Sequence, residues 1–400
     1  MQTGASLLAR CPQKAFRDIP MFKILELSNF RGFADAKLAG LARVNLITGL
    51  NGSGKTSLLE AAFLISGAAN AALAASLYGF RGESSWRVGA DRPFRSLFRD
   101  LDPTVFPKIV ASSSDLLKTS ARYRRELTIK PSYAVGEGAA TTTPSTILQG
   151  VTFDFVGPSG RAKGEWGWNP NVQPKAARPQ STKKRGRERK AEMPAPPTSN
   201  VKLLLGGPAV KNPDLIHGQF ISPYVRDVSP SDYEMLTQLI KERRSSEAVE
   251  ALRLVAPALS NLQPLSEGGE QVVYADVGGK NLLPVNLLGS GLLNCLRILL
   301  PSLLQENATI LIDEFEDGLH HSLHGPLVET VVKLAHKRRN QLFITTHSEE
   351  FLRRFISTMK QHNDLDVAFF RLGKIGLRGL VPKYTLAEAE DLLDAKIDLR

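Results

Sequence analysis

One octapeptide constrains this chain more than any other stretch: Gly49-Leu50-Asn51-Gly52-Ser53-Gly54-Lys55-Thr56. It satisfies G-x-x-x-x-G-K-[ST] in full, between the apolar run Val44 to Thr48 and the helix-forming Ser57-Leu58-Leu59-Glu60-Ala61-Ala62-Phe63-Leu64. Strand, glycine-rich loop and helix, in that order, make a polyphosphate cradle. The glycines let backbone N–H groups wrap a β-phosphate, Lys55 reaches the β- and γ-phosphates, and the Thr56 hydroxyl is a ligand for Mg²⁺. Asn51, Gly52, Ser53, Gly54 and Ser57 complete the expected contacts, and a nucleoside polyphosphate is the expected ligand.

A second segment supplies the complementary chemistry. Thr309-Ile310-Leu311-Ile312 reads as a buried strand that ends on Asp313-Glu314. Asp313 is placed to hold Mg²⁺ through water, and Glu314 to polarise the attacking water as general base. A glutamate directly after the aspartate favours hydrolysis over transfer to a bound acceptor, which disfavours a kinase. The alternating run from Phe22 to Leu27 and the apolar run Gln341 to Thr345 read as further strands, with helices expected over about 292–304 and 322–338. Strands that close on polar residues, separated by helices, predict a mostly parallel α/β sheet with its chemistry at the strand ends. Short runs such as Arg125 to Ile129 and Val151 to Val156 predict an antiparallel layer, and 230–257 is helical in pattern.

With these motifs the chain resembles the ABC-class P-loop ATPases of the OLD/RecF/SMC-like group, of the stand-alone AAA-15/AAA-21 type. The residues that carry the resemblance are Leu27-Ser28-Asn29-Phe30-Arg31-Gly32-Phe33, the loop Gly49 to Thr56 with Leu58-Leu59-Glu60, and Leu288-Gly289-Ser290-Gly291. Asp313-Glu314-Phe315-Glu316-Asp317-Gly318-Leu319-His320 and Thr345-Thr346-His347-Ser348 complete the set. The resemblance implies a P-loop NTPase fold, an ABC-type ATPase head with an antiparallel β layer and a helical lobe. It implies a homodimer with composite ATP sites, in which Ser290 and Gly291 form a degenerate signature motif that meets the γ-phosphate bound to a second protomer. Glu316 to Leu319 would be the loop that crosses the dimer, His347 the switch histidine at the γ-phosphate, and Arg31 a residue near the nucleotide. The signature lacks the usual second glycine and glutamine. The glutamine that such ATPases use to couple Mg²⁺ to lobe movement has two candidates, Gln149 and Gln219.

The formal charge of +11, from 51 Lys and Arg against 40 Asp and Glu, points to an anionic partner. Most of it has an address: residues 157–200 hold seven prolines and ten Lys and Arg against three Glu, a net +7. This Pro-rich basic stretch reads as a disordered insertion able to engage nucleic acid. The expected organisation is an N-terminal extension over 1–21, lobe I over 22–156, the insertion over 157–200, lobe II over 201–385 and a C-terminal helix over 386–400. Two cysteines, Cys11 and Cys295, exclude a disulfide scaffold and suit a reducing cytoplasm. The uncharged stretch from Ala61 to Phe80 is built of Ala, Gly, Ser and Asn and follows the phosphate loop, which reads as a core helix rather than a membrane span. Without sustained heptads no coiled-coil arm is expected. A separate effector protein is the alternative partner to nucleic acid, with roles in DNA repair or antiviral defence expected under the first reading.

Three other clusters carry weaker readings. His320, His321 and His324 contain an i, i+4 pair of metal-ligating type. Asp364-Leu365-Asp366 imitates paired nuclease carboxylates but has no upstream glutamate module beside it. Trp166 and Trp168 lie among basic residues and are candidates for base stacking.

Overall fold

The computed structural model describes residues 21–82, 91–113, 124–133, 148–167, 214–225, 227–362, 365–373 and 379–395. The first lobe opens with strands β1 (Ile24–Phe30), β2 (Phe33–Ala39) and β3 (Val44–Gly49), followed by helices α1 (Lys55–Ser66), α2 (Leu73–Phe80) and the single turn α3 (Arg92–Arg95). Four strands come next: β4 (Lys108–Ser112), β5 (Arg124–Tyr133), β6 (Leu148–Gly157) and β7 (Gly160–Gly167). They join the first two in an antiparallel sheet of order β2-β1-β4-β5-β6-β7.

The second lobe runs through β8 (Gly218–Ile221), α4 (Pro230–Lys241) and α5 (Ser245–Leu252), then the small sheet β9 (Asn261–Glu267), β10 (Glu270–Asp276) and β11 (Leu283–Pro284). It continues with α6 (Ser290–Leu304), β12 (Thr309–Ile312), α7 (His321–Arg338) and β13 (Gln341–Thr346). The last elements are α8 (Glu349–Lys360), β14 (Val367–Leu372), β15 (Lys383–Tyr384) and α9 (Leu386–Asp394). The central sheet has the order β15-β14-β3-β13-β12-β8; all but β15 are parallel to their neighbours.

Parallel strands covered on both faces are apolar throughout, and alternation then decides which core each side chain enters. Phe343, Leu311, Ile47 and Phe220 pack toward the antiparallel layer. Their neighbours Leu342, Ile344, Ile310, Ile312 and Leu46 pack toward α6, α7 and α8. Helix α1 lies in the first of these cores with eleven of its twelve residues buried, and it touches both sheets. A helix buried on every side needs an apolar circumference, which Leu58-Leu59 and Ala61 to Ile65 provide. The uncharged stretch 61–80 is therefore the end of α1 and the whole of α2, and no helix among the described residues is long and apolar enough to cross a membrane.

The antiparallel sheet extends past the expected lobe boundary at 156. β7 pairs with β6 from Gly157↔Gly160 to Gly150↔Gly167, so residues 157–167 belong to the folded lobe. A strand of exposed and half-exposed residues carries no apolar signature; its edge pairing to β6 holds it in place. Trp166 faces Val151 across the ladder and packs 5.1 Å from the Phe94 ring, which gives it a place in the core margin rather than on a basic loop. Trp168, the basic string from Lys183 to Lys190, residues 1–20 and 396–400, and the start of the expected lobe II at 201–213 lie outside the described residues.

Candidate active site

The site forms at the carboxyl ends of β3, β12 and β13, adjacent columns of the parallel sheet except that β13 separates the other two. The parallel register Ile312↔Ile344 makes Asp313 and Thr345 the next neighbours along the ladder. Thr345 Oγ1 donates to Asp313 Oδ1 at 2.6 Å. Helix α1 packs across β12 and brings Thr56 over the same carboxylate, where Thr56 Oγ1 donates to Oδ2 at 2.8 Å. Asp313 is buried, and desolvation pushes its carboxyl up to about 6, against the two hydroxyls that favour the charged form.

The phosphate loop is closed by its own backbone. Ser53 N–H donates to Leu50 O at 3.0 Å, and Lys55 Nζ donates to Gly49 O at 2.6 Å and Leu50 O at 3.2 Å. Burial lowers the Lys55 pKa, opposed by the nearby carboxylates of Asp313, Glu314 and Glu316. Gly54 has φ 96°, and a Cβ there would stand 2.7 Å from the Phe33 ring, so both conformation and space demand glycine. α1 begins with no side-chain cap and no acid in its first turn, which leaves its amides and dipole facing the loop. Ser53 Oγ is buried without a partner, while Asn51 and Gly52 are exposed. Uncapped amides, an orphaned hydroxyl and a lysine fit a polyphosphate. The hydroxyl and carboxylate of Thr56 and Asp313 are hard oxygen donors that fit Mg²⁺.

Glu314 follows in a left-handed conformation, φ 49°, with its N–H donating to Thr345 Oγ1 at 2.9 Å. A non-glycine residue held there is strained, and such strain collects at functional sites. Its side chain is 31% exposed, so it faces the open side of the site while Asp313 faces inward. His347 Nδ1 lies 3.5 Å from Glu314 Oε1 and 3.5 Å from Glu316 Oε1. The expected strand-end cluster of Lys55, Thr56, Asp313, Glu314 and His347 is thus brought together within the single chain.

Other candidates are placed elsewhere. Ser290 is exposed at the start of α6 and Gly291 half-buried, with Leu287 beside them 71% exposed. Arg31 turns to Glu60, one helical turn beyond Thr56: Arg31 Nε lies 2.7 Å from Glu60 Oε2. Arg81 takes the other side of the same carboxylate at 2.8 Å and donates to Ser57 Oγ at 3.2 Å. Glu60 is fully buried, so the two arginines supply the neutralisation that solvent does not. Arg31, expected near the nucleotide, is thus anchored on α1 one turn beyond Thr56.

Neither glutamine candidate stands at the Asp313–Glu314 end. Gln149 is in β6 of the antiparallel sheet, and Gln219 is opposite Ile310, inside β8. The segment beside Asp313 and Glu314 is Ser222-Pro223, where β8 ends, and buried Arg297 of α6 donates to Ser222 O at 3.1 Å and Val225 O at 2.6 Å. His320 pairs with Ser322 at the start of α7, and His324 packs edge-on against Phe351; no metal-binding cluster exists among the described residues. Asp366 accepts from Arg43 N–H at 3.0 Å, and Asp364 is outside the described residues. Thr345, Glu60, Arg81 and Arg297 were not foreseen. Thr345 and Glu60 left a signal, since both stand in the motifs that carry the resemblance.

Two family models span these site residues. Residues 198–353 match the AAA_21 family, described as "AAA domain, putative AbiEii toxin, Type IV TA system", and residues 25–70 match the AAA_23 family, an AAA domain. An ATP/GTP phosphatase of Helicobacter pylori is 24% identical over 353 residues, covering 83% of this chain and 86% of that protein. The DNA replication and repair protein RecF of Idiomarina loihiensis is 56% identical over 41 residues, 10% of this chain and 12% of that protein. An SMC head bound to the C-terminal winged-helix domain of ScpA aligns with 93% of this chain and all of its own at 12% identity, with a TM-score of 0.46. The complete phosphate loop, the Asp313–Glu314 strand end placed against it and the two AAA-domain matches mark the chain as a P-loop ATPase that is similar to the AAA_21 family over residues 198–353.

Proposed function

We propose that this ATPase is a nucleotide-gated dimeric switch in which two heads enclose two ATP molecules and release one another after hydrolysis. The observation that carries the reading is the split of the expected machinery. Lys55, Thr56, Asp313, Glu314 and His347 cluster at the same strand ends, while Ser290 and Gly291 stand on another helix with no contact to the phosphate loop among those described. A helix N-terminus aimed outward, next to an exposed leucine, is suited to the γ-phosphate of a second copy.

In this reading the loop amides and Lys55 bind the phosphates, and Glu314 takes the proton of the attacking water. His347 is the polar contact to the γ-phosphate and holds Glu314 in place. Thr56 and Asp313 would hold Mg²⁺, which supplies charge neutralisation at the phosphates when bound. Closing the dimer would exclude water from Asn51, Gly52 and Leu50, all exposed in the single chain.

The RecF match and the family described as a toxin of a Type IV TA system support a role in DNA maintenance or defence. On the outward side of the antiparallel sheet the lysines are matched by acids: Lys37 with Glu26, Lys108 with Glu126, Lys130 with Asp154 and Lys163 with Glu165. That pairing favours a second reading, an ATP-gated scaffold that holds and releases an effector protein, unless the basic stretch 168–200 itself binds nucleic acid. Mass by light scattering with and without ATP tests the switch; a protein that stays monomeric with bound, unhydrolysed ATP contradicts it. ATPase rate and DNA affinity across a salt series, for the full chain and for a variant lacking 168–200, decide between the two roles.

A further inference from the structure

Glu316 stands two residues past Glu314, on the loop that the resemblance assigns to the dimer crossing. Its side chain turns inward, with 10% exposed. One oxygen, Oε1, accepts three hydrogen bonds from a single short turn: Thr346 Oγ1 at 2.8 Å, His347 N–H at 3.1 Å and Ser348 N–H at 3.2 Å. The same oxygen is 3.5 Å from His347 Nδ1, and Oε2 is buried without a partner.

A half-paired buried carboxylate is costly, so folding alone gives little reason to keep one. The turn is already capped without it. Ser348 Oγ accepts from Phe351 N–H at 3.2 Å to start α8, and Thr346 Oγ1 accepts from Ser348 N–H at 3.0 Å. What Glu316 adds is a connection between two loops that leave different strands, one bearing Glu314 and the other His347. The far side of its loop is tied as well. Asn294 Nδ2 of α6 donates to Asp317 O at 2.9 Å, and Gly318, at φ 66°, lies against Asn294 and Ser290.

We infer that Glu316 is a positioning residue for hydrolysis: its carboxylate holds the 346–348 turn, and so fixes the His347 imidazole against Glu314. Through Asp317 and Asn294 the same loop sets the N-terminus of the helix that carries Ser290. The inference rests on the roles proposed for Glu314 and His347.

The test compares Glu316→Gln, which keeps an acceptor oxygen for the three donors, with Glu316→Ala, which removes it. In the full chain with Mg²⁺ and ATP, the alanine variant is expected to lose roughly 100-fold in kcat with KM changed less than about threefold, and the glutamine variant to stay within about fivefold of the parent. Adding His347→Ala to Glu316→Ala is expected to cost less than about twofold more, because both remove the same positioned imidazole. Parental kcat in Glu316→Ala, equal loss in both variants, or additive losses with His347→Ala would each overturn the inference. His347→Ala turning over at the parental rate would instead sink the role given to His347 itself.

Discussion

The Thr56 hydroxyl and the Asp313 carboxylate meet at 2.8 Å across 257 positions of sequence. One comes from the first turn of α1 and the other from the end of β12, and Thr345 occupies the remaining oxygen of the aspartate. The pairing fixes the phosphate loop against the strand end that carries Glu314. It also defines which substitutions separate binding, metal use and hydrolysis.

Lys55→Ala removes the cation of the loop and is expected to abolish measurable ATP binding by calorimetry. Thr56→Ala leaves that cation in place. It is expected to raise the Mg²⁺ concentration for half-maximal hydrolysis by about tenfold or more, with far less effect on the melting temperature. Unchanged Mg²⁺ dependence would remove Thr56 from the metal site.

Glu314→Gln keeps shape and loses the base. The variant is expected to bind ATP, to hydrolyse it at least about 100-fold more slowly, and to accumulate as a dimer seen by light scattering. Hydrolysis at the parental rate would refute Glu314 as base.

Asp313 gives a pH dependence of known sign. Its folded-state pKa, about 6 in the metal-free protein, exceeds the ordinary 3.8 because burial disfavours the charge. The folded chain therefore binds this proton more tightly than the unfolded chain. Stability in chelator falls as pH rises from about 4 to about 6, by on the order of 3 kcal/mol from this group. Denaturant melts of the parent and of Asp313→Asn across that window isolate the effect, since only the parent should show the extra slope.

Glu60 binds two arginines from a fully buried position. Glu60→Ala would leave Arg31, itself lowered to about 10 by burial, without its counter-charge, and is expected to cost roughly 3–5 kcal/mol. Arg31→Ala is expected to lower the melting temperature while ATP affinity stays within about twofold. A large affinity loss at unchanged stability would place Arg31 at the nucleotide.

The legible parts of the molecule share one property: their determinants are contiguous. The loop Gly49 to Thr56, the apolar strand before Asp313 and the helix after Ser290 each carry their geometry within a dozen residues, and each formed where the pattern placed it. β7 was missed because an edge strand exposed on one side needs no apolar stripe, so Arg161 to Gly167 reads as polar loop until β6 lies beside it. The contacts of Glu316 were not legible because nothing local shows that three donors from residues 346–348 wait on its inner side.

Sequence alone determined the chemistry on offer: a phosphate cradle, a hydroxyl and a carboxylate of metal-ligating type, a glutamate next to that carboxylate, and a histidine at a later strand end. Tertiary structure decided which of these groups face one another. The directions of Asp313, Thr345, Glu316 and Arg31 depend on the register of β12 on β13 and on how α1 crosses them. Those are relations between segments up to hundreds of residues apart, set by burial of both sheet faces, and no short stretch of sequence contains them.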